Sequence, residues 1–216
     1  MKDWLWFITT WGNSKYLKDL LSSMAQGEPN LILNQKESHK SLGWAWNMAL
    51  AQLADYRSVI IANDDITVTP DTGERLYKIL NLIGRKTNTI AVSAYDTTRH
   101  GEFGNIWVPS KLLFPGMYCF IVDERMEREI GQFDEGFTPY LYEDVDMFHR
   151  VKLAGYDWAT AVPIKHVGNG SSTNKAMVNR RTQAYDRNKA RYIRKWGGDF
   201  NEEKYTIPWD GKDAEN

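Results

Sequence analysis

One cysteine, Cys119, is all the thiol this chain of 216 residues carries. An internal disulfide and a cysteine zinc cluster are therefore both excluded. Its setting, the apolar run "MYCFIV", reads as a buried structural thiol. Long apolar runs are missing as well. The apolar run in the opening "MKDWLWFITTW" is too short for a secretory leader or a spanning helix, and no later segment reads as a membrane span. The expectation is a reducing, cytoplasmic setting with no membrane span. A charge excess is missing too: 27 basic residues face 28 acidic ones, for a net −1. That excludes bulk attraction to nucleic acid or an anionic membrane and leaves only a local patch open. There is no internal repeat and no low-complexity tract. Aromatic residues are plentiful, with nine Trp and eleven Tyr. They fit a well-filled core or stacking platforms for sugars or bases, and the two uses can coexist.

Apolar segments alternate in type along the chain. "WLWFITT" (Trp4 to Thr10) reads as a buried strand. A helix follows with Leu17, Leu20, Leu21 and Met24 at helical spacing. "NLILNQ" is a second strand, Leu42 to Leu53 a helix, and the β-branched "SVIIAN" a third strand buried on both faces. Asp71 and Glu74 have the spacing of a capping box ahead of a helix bearing Leu76, Ile79, Leu80 and Ile83. "TIAVSAY" is the fourth strand. This β-α-β-α-β-α-β order predicts an α/β fold with a mostly parallel central sheet flanked by helices. Residues from 95 to 115 read as a long loop. "MYCFIV", a short charged helix (Glu124 to Ile130), an acidic helix, the strand "WATAV" and a polar helix from about Asn174 to Trp196 complete the chain. One domain over 1–216 is expected. Its parts are a first half to about 95, a second part over about 96–172, and a C-terminal helix and tail over about 173–216.

Open α/β sheets bind ligands beyond the carboxyl ends of their strands. That rule selects Thr9, Thr10 and Trp11 after strand one, Asn34 and Gln35 after strand two, and Asn63, Asp64 and Asp65 after strand three. Adjacent carboxylates at the end of a buried strand need solvent, hydrogen bonds or a cation. Oxygen ligands suit Mg2+ or Mn2+ shared with substrate phosphates, while an Asx turn closing the strand is the plainer reading.

A second acidic group opens the helix in "YLYEDVDMFHRVKLAGYDW" (Tyr140 to Trp158). Acids there complement the helix dipole, and Asp146 with Arg150 is an i,i+4 pair. That explains Asp146 and does not require both Glu143 and Asp144. A carboxylate at a helix start can also act as a general base. His166, in "VPIKHVGNGSS", reads as an ordinary half-buried histidine, or as a nitrogen ligand if it shares a cleft with Asp65.

In their order, these pieces resemble the inverting family-2 glycosyltransferases of GT-A (Rossmann-like) fold, from about Trp4 to Ser172. "ITTWGN" stands at the family's first strand and nucleotide-contacting turn. "GWAWNMALAQLADYRSVIIANDDITVTP" is similar to its Gly–x3–Asn helix and D-x-D strand. "GMYCFIVDERMEREIGQFDEGFTPYLYEDVDMFHRVKLAGYDWATAVPIKHVGNGSS" is similar to its acceptor-side strand, G-x-F-D-E turn, E-D-x-D helix and distal histidine. The resemblance implies an acceptor-side extension of the sheet in the second half. It also implies transfer from a nucleotide-diphosphate-sugar donor to a glycan or glycolipid hydroxyl. Asp144 would be the base, with Glu143 shaping the acceptor pocket. Asp65 and His166 would hold Mn2+ or Mg2+, with Asn63 and Asp64 completing the motif. Thr9 and Trp11 would border the nucleotide, and Gly43 and Asn47 would lie on its ribose and diphosphate side. Asn34 and Gln35, followed by Glu37 and Ser38, replace the acid with which the family contacts the nucleobase, so the donor base stays open.

Other readings remain. Trp44, Trp46 and Trp107 could stack bases, and Arg180, Arg181, Arg187, Lys189, Arg191, Arg194 and Lys195 could meet phosphates of a nucleic-acid acceptor. A solvated helix face is the plainer account of that run. Trp44 and Trp46 are two apart on a helix, so at least one belongs to the core. A sugar-nucleotide-binding scaffold without turnover is a third reading. Nucleotidyl transfer is disfavoured, because "TTWGNSK" lacks a Gly-rich, cationic loop. The tail from Gly197 could cover the site or join two copies in a homodimer.

Overall fold

The computed structural model describes residues 2–12, 14–35, 40–100, 108–109, 116–167 and 175–208. Among the described residues eight strands form the sheet: β1 (Lys2–Thr10), β2 (Asn30–Asn34), β3 (Tyr56–Asn63), β4 (Ile66–Thr67), β5 (Thr89–Asp96), β6 (Val108–Pro109), β7 (Cys119–Asp123) and β8 (Asp157–His166). The helices are α1 (Ser14–Ser23), α2 (Leu42–Leu50), α3 (Thr72–Gly84), the single turn α4 (Thr97–His100), α5 (Glu143–Leu153) and α6 (Lys175–Trp196). Strand order is β2-β1-β3-β7-β5-β8-β4, with β6 against β8. Strands β2, β1, β3, β5 and β8 all point the same way, and β7 opposes its neighbours β3 and β5. The expected mostly parallel sheet is present, and the strand read from "MYCFIV" is wedged antiparallel into its centre.

Alternation along each strand divides the core between the two faces of the sheet. Trp6 and Ile8 of β1 and Ile60 and Ala62 of β3 face one side, where Leu20 of α1 and Leu76, Leu80 and Ile83 of α3 pack. Phe7, Val59 and Ile61 face the other, against Trp46 and Leu50 of α2 and Met147 and Val151 of α5. Full burial of one such side chain contributes roughly 1.5–3 kcal/mol, so the face of each helix is set by which residues recur every third or fourth place. Leu21 falls off the α1 stripe and is 37% exposed, contrary to the helical grouping read from the sequence. Trp46 is core and Trp44 is half-buried at the start of the same helix. A third cluster joins Tyr192 and Trp196 of α6 to Phe137 and Tyr142, which precede α5.

Several local expectations change. The capping box at α3 does not form. Asp71 accepts from the Thr69 hydroxyl (2.6 Å), and the Thr72 hydroxyl accepts the Thr69 N–H (2.9 Å). The charged helix after β7 is a π-helical turn over Met126–Ile130, stopped by Gly131 at φ 88°. The strand read as "WATAV" runs on to His166, through a register irregularity and Val162 at φ 63°. Glu37, Ser38, Trp107, the glycine-rich stretch after Val167 and the end of the tail lie outside the described residues.

Candidate active site

The carboxyl ends of β1 and β3 are stitched together by two hydroxyls. Thr9 lies opposite Asn63 in the parallel ladder and donates to its Oδ1 (3.1 Å) and to the Ala62 carbonyl (3.3 Å). Thr10 donates to Asp64 Oδ2 at 2.5 Å and accepts from the Gly12 N–H at 3.0 Å. Burial and the neighbouring Asp65 raise the Asp64 carboxyl above its ordinary range, and the Thr10 hydroxyl opposes that shift. Thr9, Thr10 and Asp64 are thus buried, Thr9 tied to Asn63 and Thr10 to Asp64. Trp11, one residue further, is 46% exposed and meets the edge of Tyr140 with ring centroids 6.4 Å apart. Asn34 closes β2 beside Thr10.

Asp65 turns the other way and meets β8. Its Oδ2 lies 3.3 Å from His166 Nε2, so the two residues read as metal ligands are brought together. The short strand β4 pairs Ile66 with His166, and the Val167 N–H donates to the Asp65 carbonyl (2.9 Å). The positive φ at Val162 sits in a bulged strand, a local irregularity of the kind that re-aims the residues beyond it. The His166 ring is stacked on Tyr118 at 4.6 Å and 16°. Tyr118 is fixed in turn by its hydroxyl, which accepts the Asp96 N–H (2.8 Å). Asp96, at the end of β5, accepts from the His166 N–H (3.3 Å) and from the N–H and hydroxyl of Thr98 (3.0 and 2.8 Å). These hydrogen bonds outweigh its burial and hold its carboxyl below the usual range. Sequence reading overlooked Asp96 and Tyr118. The strand-end rule could have found Asp96.

Asp65 and His166 are the residues that could hold a cation. Asp65 Oδ1 and His166 Nδ1 are buried without a hydrogen-bond partner, and the pair offers one carboxylate and one imidazole. Among the described residues no group of three or more His, Cys, Asp or Glu side chains converges. Remaining coordination positions would fall to substrate oxygens or water.

The acidic helix starts after two left-handed residues, Leu141 (φ 79°) and Tyr142 (φ 77°). Neither is glycine, so the turn stores strain of the kind that collects at functional sites. Glu143 is 3% exposed and its Oε2 has no partner. Burial first, then Asp144 beside it, push its carboxyl well above the ordinary range. Asp144 is half-buried and accepts the Val145 N–H at 2.8 Å. Its carboxyl is raised by burial and held back by backbone N–H groups. The Trp11–Tyr140 contact and the Leu42 N–H on the Pro139 carbonyl (2.8 Å) bring the approach to α5 against β1 and α2.

Gly43 and Asn47 share a face of α2 and serve the turn Phe133-Asp134-Glu135. A Cβ on Gly43 would meet the Asp134 carbonyl at 3.3 Å. The Asn47 amide donates to the Phe133 carbonyl and to Glu135 (both 3.0 Å) and accepts the Phe133 N–H (2.7 Å). Asn47 is 2% exposed, so its side chain is committed to this joint.

Asp146 is more than a local partner for Arg150. Fully buried, it also accepts from the Trp196 indole (2.8 Å) and faces Lys195 (2.7 Å). Asp134 takes Arg191 (3.0 Å) and Lys195 (2.8 Å), and Lys189 pairs with Asp199 (2.5 Å). Three members of the basic run on α6, Lys189, Arg191 and Lys195, are therefore paired inside the chain, while Arg181, Arg187 and Arg194 are exposed as a solvated face would have them. The first tail residues fold back on α5. Phe200 packs near Phe148 at 6.2 Å, and Glu203 lies 3.5 Å from His149.

No family model matches the chain, and no curated protein matches it by sequence. Its likeness is to solved structures. What they share with this chain is the α/β fold. The mannosyltransferase PcManGT from Pyrobaculum calidifontis, solved with GDP-Man and Mn2+, superimposes with a TM-score of 0.60 at 13% identity. That match covers 88% of this chain and 64% of the mannosyltransferase. A197 from STIV superimposes with a TM-score of 0.51 at 14% identity, covering 75% of this chain and 83% of A197. Among the described residues no helix is long and apolar enough to cross a membrane.

Proposed function

We propose that this chain is a metal-dependent inverting glycosyltransferase of GT-A, family-2 type. It would move a sugar from a nucleotide-diphosphate-sugar to a hydroxyl of a glycan or glycolipid. The observation that carries the reading is the pairing of Asp65 with His166 at 3.3 Å, at the strand ends where the fold binds ligands. Support comes from the fold shared with a mannosyltransferase solved with GDP-Man and Mn2+.

A divalent cation held by Asp65 and His166 would act as a Lewis acid on the departing diphosphate. The rest falls to the chain. Thr9 and Thr10 fix the strand ends, and Trp11 with Tyr140 walls the mouth where a base or sugar ring would stack. Asp144 takes the proton of the acceptor hydroxyl as that oxygen bonds to the anomeric carbon and the carbon–phosphate oxygen bond breaks. The raised Asp144 carboxyl makes it a stronger base than an ordinary aspartate, once ionised. Attack opposite the leaving group inverts the anomeric centre. Glu143 borders the acceptor oxygen.

The test is transfer or donor hydrolysis with and without Mn2+ or Mg2+, in the native chain and in Asp144→Asn. The reading expects a metal requirement and a loss of at least 100-fold in the variant. Full activity of Asp144→Asn would remove the base assignment.

A further inference from the structure

Asn188, in the middle of α6, is 1% exposed and sits directly over the approach to the acidic helix. Its Nδ2 has two N–H groups for three carbonyls of one loop, so one is shared: Thr138 (3.2 Å), Tyr140 (2.9 Å) and Leu141 (2.9 Å) lie within reach. Its Oδ1 is buried and meets no donor. A residue serving only to fill space here would be apolar, because a buried amide with an unused oxygen is unfavourable. Only the N–H groups are used, and all of them face the strained turn that ends in Leu141 and Tyr142. The neighbouring Arg187 also donates to the Thr138 carbonyl. Helix α6 is anchored beyond this point by Trp196 and Lys195 on Asp146, so the amide is held from a rigid base.

We infer that Asn188 is a positioning residue, which clamps the left-handed turn before α5 and so sets where Glu143 and Asp144 stand in the site. Sequence offers no hint of it, since Asn188 lies 44 residues beyond Asp144 in an otherwise polar helix. The catalytic part of this inference rests on the glycosyltransferase reading. The clamp itself does not.

Two near-isosteric variants test it. Asn188→Leu removes the donors, and Asn188→Asp turns a carboxylate toward the three carbonyls. Should one fail to fold, the other carries the test. Hydrogen exchange reads the clamp without any substrate. Amides from Tyr140 to Asp146 are expected to exchange at least 10-fold faster, with β3 and β7 unchanged. Unchanged exchange in that loop overturns the inference. Steady-state kinetics read the catalytic consequence. The expectation is kcat lower by about 10- to 100-fold, as a displacement of about 1 Å produces, with the donor KM within twofold. A loosened loop with full kcat, or a donor KM that climbs as kcat falls, overturns the positioning role. If the native chain transfers no sugar from any nucleotide-sugar, the glycosyltransferase reading fails, and the exchange result alone decides whether the clamp exists.

Discussion

Replacing Glu143 with glutamine should stabilise the protein near neutral pH while damaging the site. The carboxyl is 3% exposed, Oε2 has no partner, and Asp144 is adjacent. Burial, with Asp144 adding to it, raises its folded-state affinity for a proton well above that of an unfolded glutamate. From about pH 4.5 upward the folded state then binds more protons than the unfolded one, so stability falls as pH rises through the folded-state value. Glutamine keeps the shape and removes that titration. Each pH unit over which the folded carboxyl keeps its proton and the unfolded one does not costs about 1.4 kcal/mol. For a chain of this size each such unit corresponds to roughly 3–6 °C in Tm. At pH 4, where the carboxyl is mostly protonated even in the unfolded state, the two proteins should melt nearly together. Urea or thermal unfolding of both proteins between pH 4 and pH 8 makes the comparison. A variant less stable than the native protein at pH 8, or an offset that does not change with pH, would refute the reasoning.

Three further outcomes follow from the same geometry. Asp146→Ala leaves Lys195, Arg150 and the Trp196 indole without their shared acceptor and should cost about 3–5 kcal/mol in denaturant unfolding; a loss below 1 kcal/mol would show that α6 is held by other contacts. His149 is kept from protonating mainly by burial, opposed by Glu203 and Asp146 and aided by Lys152. Its unfolded form takes up a proton first as pH falls below about 6.5, so Tm should drop between pH 7 and pH 5.5 more steeply in the native chain than in His149→Phe. Equal slopes would exclude His149 as the cause. Tyr118→Phe removes the hydroxyl that accepts the Asp96 N–H beneath His166. Binding of Mn2+, followed by titration calorimetry in the presence of a nucleoside diphosphate, should weaken about 10-fold or more; unchanged affinity would make the hydroxyl's contact with Asp96 incidental.

Much of this architecture is legible in the sequence because it is local. Continuous β-branched runs such as "SVIIAN" mark strands buried on both faces. The strand-end rule leads from there to Thr9, Thr10 and Asp65, and the motif order pairs Asp65 with His166. What the sequence hides is direction and distance. The run around Cys119 is equally apolar read either way, so its reversed orientation in the sheet leaves no trace. Asp146 shows only Arg150 at i,i+4, while Trp196 is 50 residues away. Asp71 has the spacing of a cap and bonds to Thr69 instead. Gly43 and Asn47 recur at helical spacing, and only the fold shows that both dock on Phe133 to Glu135. The basic residues of α6 read alike in the sequence, yet Lys189, Arg191 and Lys195 alone are drawn onto Asp134, Asp146 and Asp199 among the described pairs.

The most direct measurement is the thermal shift produced by a panel of nucleoside diphosphates and nucleotide-sugars, each with and without Mn2+, on the native chain and on Asp65→Asn and His166→Ala. A ligand that binds only the folded state raises Tm in proportion to its occupancy, by about 2.7 kcal/mol of stability at a hundredfold excess over Kd. The expected result is a shift with one nucleotide that requires Mn2+ and is lost in both variants. A shift indifferent to metal and to both substitutions, or none with any nucleotide, would contradict a donor site at Asp65 and His166.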